Sequence, residues 1–181
     1  VHGEWSSAIG ATRRVLQTDG SLAMTRGNVD SALLGVRYIT ENEVTWVAEI
    51  YRNGAGYDAA ELATYYAALR AAYLPSGAAA AQAQAASLAA SGYGRANPGR
   101  RYAYLRVSTK HPFDWLYFNL ALTTIANLDD HSWQLTPELL YTGWRNLELR
   151  ARAVLLHGDA LDEFGAKAAS RRLEVSLRLY F

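Results

Sequence analysis

Along much of this chain apolar and polar residues alternate one for one, the period at which a strand sends successive side chains to opposite faces. The alternation is clearest at the end, where Leu173, Val175, Leu177, Leu179 and Phe181 interleave with Arg172, Glu174, Ser176, Arg178 and Tyr180. Ala32, Leu34, Val36 and Tyr38 repeat it against Leu33, Gly35, Arg37 and Ile39, and Val44, Trp46, Ala48 and Ile50 against Thr45, Val47, Glu49 and Tyr51. Thr40 to Glu43 turns between these two and makes them a hairpin. Further on, Ala103, Leu105, Val107 and Thr109 oppose Tyr102, Tyr104, Arg106 and Ser108. Leu116, Phe118, Leu120, Leu122 and Thr124 oppose Tyr117, Asn119, Ala121 and Thr123. Leu135, Pro137, Leu139 and Tyr141 oppose Gln134, Thr136, Glu138 and Leu140, and Leu147, Leu149, Ala151, Ala153 and Leu155 oppose Glu148, Arg150, Arg152 and Val154. Turns are expected at His111 to Asp114, Asp129 to His131 and Trp144 to Asn146. Pro137 has no N–H for a ladder, so a bulge or a missing bond is expected beside it.

His2 to Thr12 reads as a weaker strand, with Val1, Gly3, Trp5, Ser7 and Ile9 on one face and His2, Glu4, Ser6 and Ala8 on the other. Arg13 to Asp30 is polar and basic, carries Asp19-Gly20 and Arg26-Gly27-Asn28 as turn signals, and predicts a loop. The total is about eight strands joined as consecutive hairpins, the up-and-down order of β-barrels. A long connection, 53–100, interrupts them with a helical pattern. Asp58 and Glu61 have capping-box spacing; Leu62, Tyr65, Tyr66 and Leu69 follow at helical intervals until Pro75, and an Ala-rich stretch from Ser76 to Gly92 predicts a second helix. Tyr65, Tyr66, Leu69 and Tyr73 give the first helix an apolar stripe that needs burial. Long connections of this kind are usually functional, here either as an inward constriction or plug, or as an outer lid or partner surface.

Alternation alone leaves open which face points outward, since a soluble lipocalin-like barrel places the apolar face inside. Three further features favour a membrane. Several segments reach about nine to twelve residues, the span of a tilted transmembrane strand. Short connections (40–43, 111–114, 144–146) alternate with mostly longer ones (13–30, 53–100, 158–170), the arrangement of short periplasmic turns and long extracellular loops, with 129–131 as the exception. Aromatic residues gather at strand ends: Tyr38, Trp115, Tyr141, Trp144 and Phe181 toward the short turns and Trp133 toward the other side, as in interfacial girdles.

The segment Leu173 to Phe181 resembles the closing strand of bacterial outer-membrane β-barrel proteins, which ends in Phe with apolar residues at every second position. The resemblance implies an all-β, antiparallel up-and-down transmembrane barrel in the bacterial outer membrane, with 53–100 as a helical extracellular insertion. It also implies surrounding outer-membrane lipid and docking of the C-terminal strand by barrel-assembly machinery. The apolar face would then meet lipid, because a charge there costs about 2–4 kcal/mol near the midplane. Glu4, Arg37, Glu49, Arg106, Glu138, Glu148, Arg150, Arg152, Glu174 and Arg178 would point into the lumen. Val1-His2-Gly3-Glu4-Trp5 begins within a strand with neither Met nor a signal peptide. The chain is therefore expected to be either a mature, self-contained barrel domain over 1–181 or the C-terminal part of a larger barrel completed by upstream strands or another subunit.

Composition narrows the remaining chemistry. Eighteen Lys and Arg against 17 Asp and Glu give a net charge of +1, so nucleic acid is not an expected partner. Cysteine is absent, excluding disulfides and thiolate metal sites. A mean hydropathy of −0.12 is compatible with a barrel, whose per-strand signal is weak. No run is long and apolar enough for a transmembrane helix. In a closed eight-strand barrel the mixed Arg/Glu face would fill the interior, whereas in a larger one it would line water, and Arg150, Arg152, Arg172 and Arg178 would favour anionic solutes. His131 beside Asp129 and Asp130, and His157 near Asp159 and Asp162, would suit water activation in a hydrolase, but no nucleophile motif accompanies them. His2 and His111 carry no motif either, and no metal-ligand spacing or cofactor signature is present. The expectation is a non-enzymatic pore or export/uptake channel, with a closed anchor or adhesin barrel as the alternative and an outer-membrane hydrolase third.

Overall fold

The computed structural model describes residues 1–17, 21–74 and 78–181. Its eight strands are β1 (His2–Leu16), β2 (Leu22–Ile39), β3 (Thr45–Arg52), β4 (Arg101–Lys110), β5 (Phe118–Asn127), β6 (Trp133–Trp144), β7 (Leu147–His157) and β8 (Arg171–Leu179). Each pairs antiparallel with the next in one eight-stranded meander. Among the described residues β1 and β8 do not pair with each other, so hydrogen bonds do not close the sheet into a barrel.

The register keeps the two faces chemically separate from strand to strand. Leu173, Val175, Leu177 and Leu179 of β8 lie opposite Ala153, Ala151, Leu149 and Leu147 of β7, while Arg172, Glu174, Ser176 and Arg178 lie opposite Val154, Arg152, Arg150 and Glu148. A slip of one residue would mix the sets, which is why such alternation specifies register strongly. Pro137 leaves a gap rather than a bulge: pairing of β6 with β7 lapses at Thr136 and Pro137 and resumes at Glu138↔Arg152 in the same register as Leu135↔Leu155.

Arg13 to Asp30 is not a loop, contrary to the expectation from its polarity. β1 runs to Leu16 and β2 starts at Leu22, and the expected Asp19-Gly20 turn lies outside the described residues. β2 pairs with β3 only from Ala32 to Ile39; its earlier part, as far as Leu22, pairs with β1 alone. The hairpin tip thus projects past the end of β3, where β2 has β1 as its only strand neighbour among the described residues and the apolar–polar period is lost. A bulge between Ala8 and Ala11 starts this extension, with Gly10 at a φ of 68° that side-chain-bearing residues rarely adopt. β5 likewise starts at Phe118 rather than Leu116. Phe113, Asp114 and Tyr117 turn the chain first with φ of 56°, 60° and 70°.

The helical insertion is α1 (Ala59–Ala72) and α2 (Ala79–Leu88), followed by a π-helical turn, Ala89–Tyr93. The expected capping box starts α1: Asp58 accepts from the Glu61 N–H at 2.9 Å, and Glu61 from the Asp58 N–H at 2.8 Å. Pro75 and Ser76, expected to end the first helix and begin the second, lie outside the described residues. No described helix is long and apolar enough to cross a membrane.

The largest buried apolar cluster is here, not on the sheet. Leu16, Tyr57, Leu62, Tyr65, Tyr66, Leu88 and Tyr93 pack together, with Leu22 and Ala166 against them. The apolar face of the sheet is bare by contrast. Leu34 is 63% exposed, Leu173 74%, Val175 64%, and Leu177 and Leu179 60% each, so these apolar rows lie outside any core.

Candidate functional site

Residues paired across a ladder share a face, and residues two apart on one strand share it too, so the polar face can be followed strand by strand. Glu49 pairs with Gly35 and Tyr104, Arg106 with Val47 and Thr123, Glu138 with Ala121 and Arg152, and Arg152 with Glu174. Arg37 lies on this face through Val47, and Glu148, Arg150 and Arg178 through β7 and β8. Glu4 joins them through Leu33, so the structure places all ten expected face charges on one face.

Most of them are paired. Arg106 donates to the Thr123 hydroxyl at 2.8 Å and lies 3.9 Å from Glu138. Glu174 holds Arg152, and Arg172 at 2.7 Å. Glu148 receives the Tyr180 hydroxyl at 3.1 Å and lies 3.6 Å from Arg150 and 3.9 Å from Arg178. Glu49 meets His2 at 3.2 Å. Most of these pairs are partly exposed and screened by solvent, too weak for them to hold the sheet together. Their effect is to make one face a chequerboard of fixed charge.

The expected aromatic ends form a chain of ring contacts on the short-turn side. Phe113 meets Trp115 at 6.0 Å, Trp115 meets Phe118 at 5.8 Å, Phe118 meets Tyr141 at 4.6 Å, and Tyr141 meets Trp144 at 4.9 Å. Phe113 and Phe118 extend the row beyond the residues expected in it. Tyr38 pairs with Trp46 on the same face, and Phe181 is fully exposed beyond the end of β8. At the opposite end Trp133 stacks on His157 at 5.0 Å. Trp133 and Trp144 are the two ends of β6. Eleven steps at about 3.3 Å separate them by roughly 36 Å along the strand, or about 28 Å of height at a tilt near 40°.

Two connections lean over the polar face at the Trp133 end, a direction the sequence left open. Arg13 pairs with Thr25, and Ser31 with Ser6; both therefore lie on the face of Arg37 and Glu49. Arg13 reaches the Glu61 carboxylate at 2.8 Å and the Gly56 carbonyl at 2.6 Å, and the Ser31 hydroxyl accepts from the Gly54 N–H at 3.0 Å. Arg100 adds contacts to Glu61 at 3.3 Å and Asp58 at 3.4 Å. The start of α1 is thus tied to the polar face, and the Tyr93 hydroxyl, which accepts from the Leu16 N–H at 2.7 Å, ties the π-helical turn after α2 to the hairpin tip.

The 158–170 connection is anchored from the other side. Glu163 is 1% exposed and accepts from the Tyr102 hydroxyl at 2.5 Å and the Asn127 amide at 2.9 Å. Tyr102 and Asn127 are cross-strand partners on the polar face. Asp130 accepts from the Glu163 N–H at 2.8 Å and the Ser132 hydroxyl at 2.7 Å, which in turn accepts from the Phe164 N–H at 3.3 Å. Burial pushes the Glu163 carboxyl above its ordinary range, outweighing its two hydrogen bonds and nearby Lys167. Burial also raises the Tyr66 hydroxyl, with the Glu163 charge adding to it.

The carboxylates beside the rim histidines are engaged elsewhere. Asp129 is held by Arg101 at 2.6 Å and Asp130 by Ser132 and Glu163, while His157 stacks on Trp133. Among the described residues neither His131 nor His157 makes a hydrogen bond or ion pair with a carboxylate, and no cluster of His, Asp and Glu has metal-binding geometry. Glu163 and its partners had no signal in the sequence, because Tyr102, Asn127 and Glu163 meet only through the fold.

No protein-family model matches the chain, and neither curated proteins nor solved structures match it.

Proposed function

We propose that this chain supplies eight consecutive strands of a bacterial outer-membrane pore, with the charged face toward the lumen and the helical insertion narrowing its outer mouth. The observation that carries this reading is the bare apolar face bounded by aromatic ends: rows 60–74% exposed, such as Leu173 to Leu179, demand a covering, and a hydrocarbon layer about 30 Å thick suits the spacing of Trp133 and Trp144. The unpaired edges of β1 and β8 support a barrel completed by further strands, from another segment or subunit, because an open edge in lipid leaves backbone groups unsatisfied. No step here requires a reacting residue, and the protein acts as a channel rather than an enzyme.

The second reading is a closed eight-strand barrel serving as an anchor or adhesin. Its support is parity: with eight strands, β1 starts and β8 ends at the same side, so β8 would meet β1 antiparallel without a crossover.

Cysteine labelling tests the membrane assignment, and the chain's lack of native cysteine makes the readout clean. In full-length protein reconstituted into vesicles, Val175→Cys reacts with a bilayer-confined maleimide and Ser176→Cys with a membrane-impermeant one. Equal labelling of both by the impermeant reagent, or protein that stays in the aqueous fraction, would refute it.

A further inference from the structure

Between α1 and the 158–170 connection lies an open cleft of about 650 Å³. One wall is aromatic. Tyr65 stacks on Tyr93 with ring centres 5.0 Å apart and meets Tyr66 at 5.1 Å, Leu69 continues the wall, and Tyr73, 68% exposed, stands at its edge. The other charged lining is cationic without exception: Arg70, Arg95 and Lys167, with no acidic residue. The neighbouring carboxylates are engaged elsewhere. Glu61 faces Arg13 and Arg100, Glu163 faces Tyr102 and Asn127, and Asp162 accepts from the Asp159 N–H at 2.6 Å. Arg95 donates from Nε to the Gly92 carbonyl at 3.1 Å, which orients its guanidinium. Among the described residues Arg70, Arg95 and Lys167 have no carboxylate partner, whereas Arg13 and Arg100 of the same loop cluster do.

A flat aromatic wall rewards a flat ligand, through stacking worth about 0.5–1.5 kcal/mol per ring beyond the area covered. Arg70 and Arg95, with Lys167 beside them and within electrostatic reach of Glu163, reward negative charge and repel a cation. The opening is within the size range of small-molecule sites and combines mostly apolar walls with a few polar groups. We infer that this cleft binds aromatic carboxylates, the ring against the tyrosine wall and the carboxylate toward Arg70, Arg95 and Lys167. As the solute class of a pore the inference rests on the function proposed above. As a binding site it stands on the cleft alone.

The test is isothermal titration of 2-naphthoate into purified full-length protein in detergent, with the heat of protein-free micelles subtracted, compared with neutral 2-naphthamide. Arg70 and Lys167 are exposed, so Arg70→Gln/Lys167→Gln preserves the fold, and unchanged circular dichroism verifies this. The expected result is saturable 2-naphthoate binding that weakens at least tenfold in the double variant and at least fivefold in Tyr73→Ala, with 2-naphthamide at least tenfold weaker throughout. Absence of saturable binding, equal affinity for the amide, or a double variant that binds like the parent would overturn the inference. Because no ion flux is read, a protein that fails to conduct leaves this result interpretable.

Discussion

Replacing Glu163 by alanine strands two donors at once. Its carboxylate accepts from the Tyr102 hydroxyl and the Asn127 amide in a site where Glu163 and Asn127 are each 1% exposed and Tyr102 is 4% exposed. A buried polar group left without its partner costs about 1–3 kcal/mol, so the two together cost about 2–6 kcal/mol, before any loss from the vacated volume. That loss falls on the 158–170 connection rather than on the sheet, because the sheet ladders do not involve the Glu163 side chain. The assay is hydrogen exchange of the Gly99, Glu163 and Phe164 amides, which donate to Tyr102, Asp130 and Ser132. At about 1.4 kcal/mol per tenfold, they exchange roughly 30-fold to about 20,000-fold faster in Glu163→Ala, while amides of β7 do not change. Glu163→Gln keeps an acceptor and is milder. Its pH profile separates packing from charge. The folded-state carboxyl titrates above its unfolded value, so its favourable contribution is complete below the unfolded pKa and is lost as pH rises through the raised one. In the parent, protection of these amides, corrected for intrinsic exchange, falls across that window; in Glu163→Gln the fall from this group is absent. Asp130, His131, Asp159, Asp162, Lys167, Tyr66 and Tyr102, the other titratable side chains around this loop cluster, remain in both proteins. Exchange in Glu163→Ala indistinguishable from the parent would refute the reasoning.

Two further predictions follow from the faces and the anchor. Val175, paired with Ala151 and through it level with Leu139, lies near the middle of the proposed span; Val175→Arg lowers folding stability in lipid vesicles by about 2–4 kcal/mol, measured by urea titration, whereas Ser176→Arg changes it by less than about 1 kcal/mol. Glu61→Ala removes the acceptor of Arg13, of Arg100 and of the Asp58 N–H, so α1 loses about 1–3 kcal/mol of local stability and its amides exchange faster, with no change in β5 or β6.

What the sequence discloses depends on where period two has a physical cause. From β3 to β8 each strand has an apolar and a polar face kept in register with its neighbours, and alternation located all six, including the gap beside Pro137. In the β1–β2 tip both faces leave that boundary, so Arg13 and Thr25 look like loop residues although they are ladder partners. The capping box was legible because Asp58 and Glu61 act locally. The stripe of Tyr65, Tyr66 and Leu69 announced that it needed a partner but not which one. Its packing against Tyr93, Leu16 and Ala166 depends on contacts between residues far apart in the chain. The direction of the insertion was hidden for the same reason, since it is set by Arg13 and Ser31, at and beside the stretch 13–30 that read as a loop. The cleft is a third step removed, formed where two connections approach each other, and no local pattern marks it.

Single-channel recording of the full-length protein in planar bilayers tests the central claim most directly. A lumen lined by the Arg37-to-Arg178 face predicts discrete, steady current steps, with conductance that rises when the helical insertion is freed by Glu61→Ala. Protein that is fully inserted, as judged by Val175→Cys labelling from the bilayer, yet passes no steady current would contradict the pore and leave the filled barrel standing.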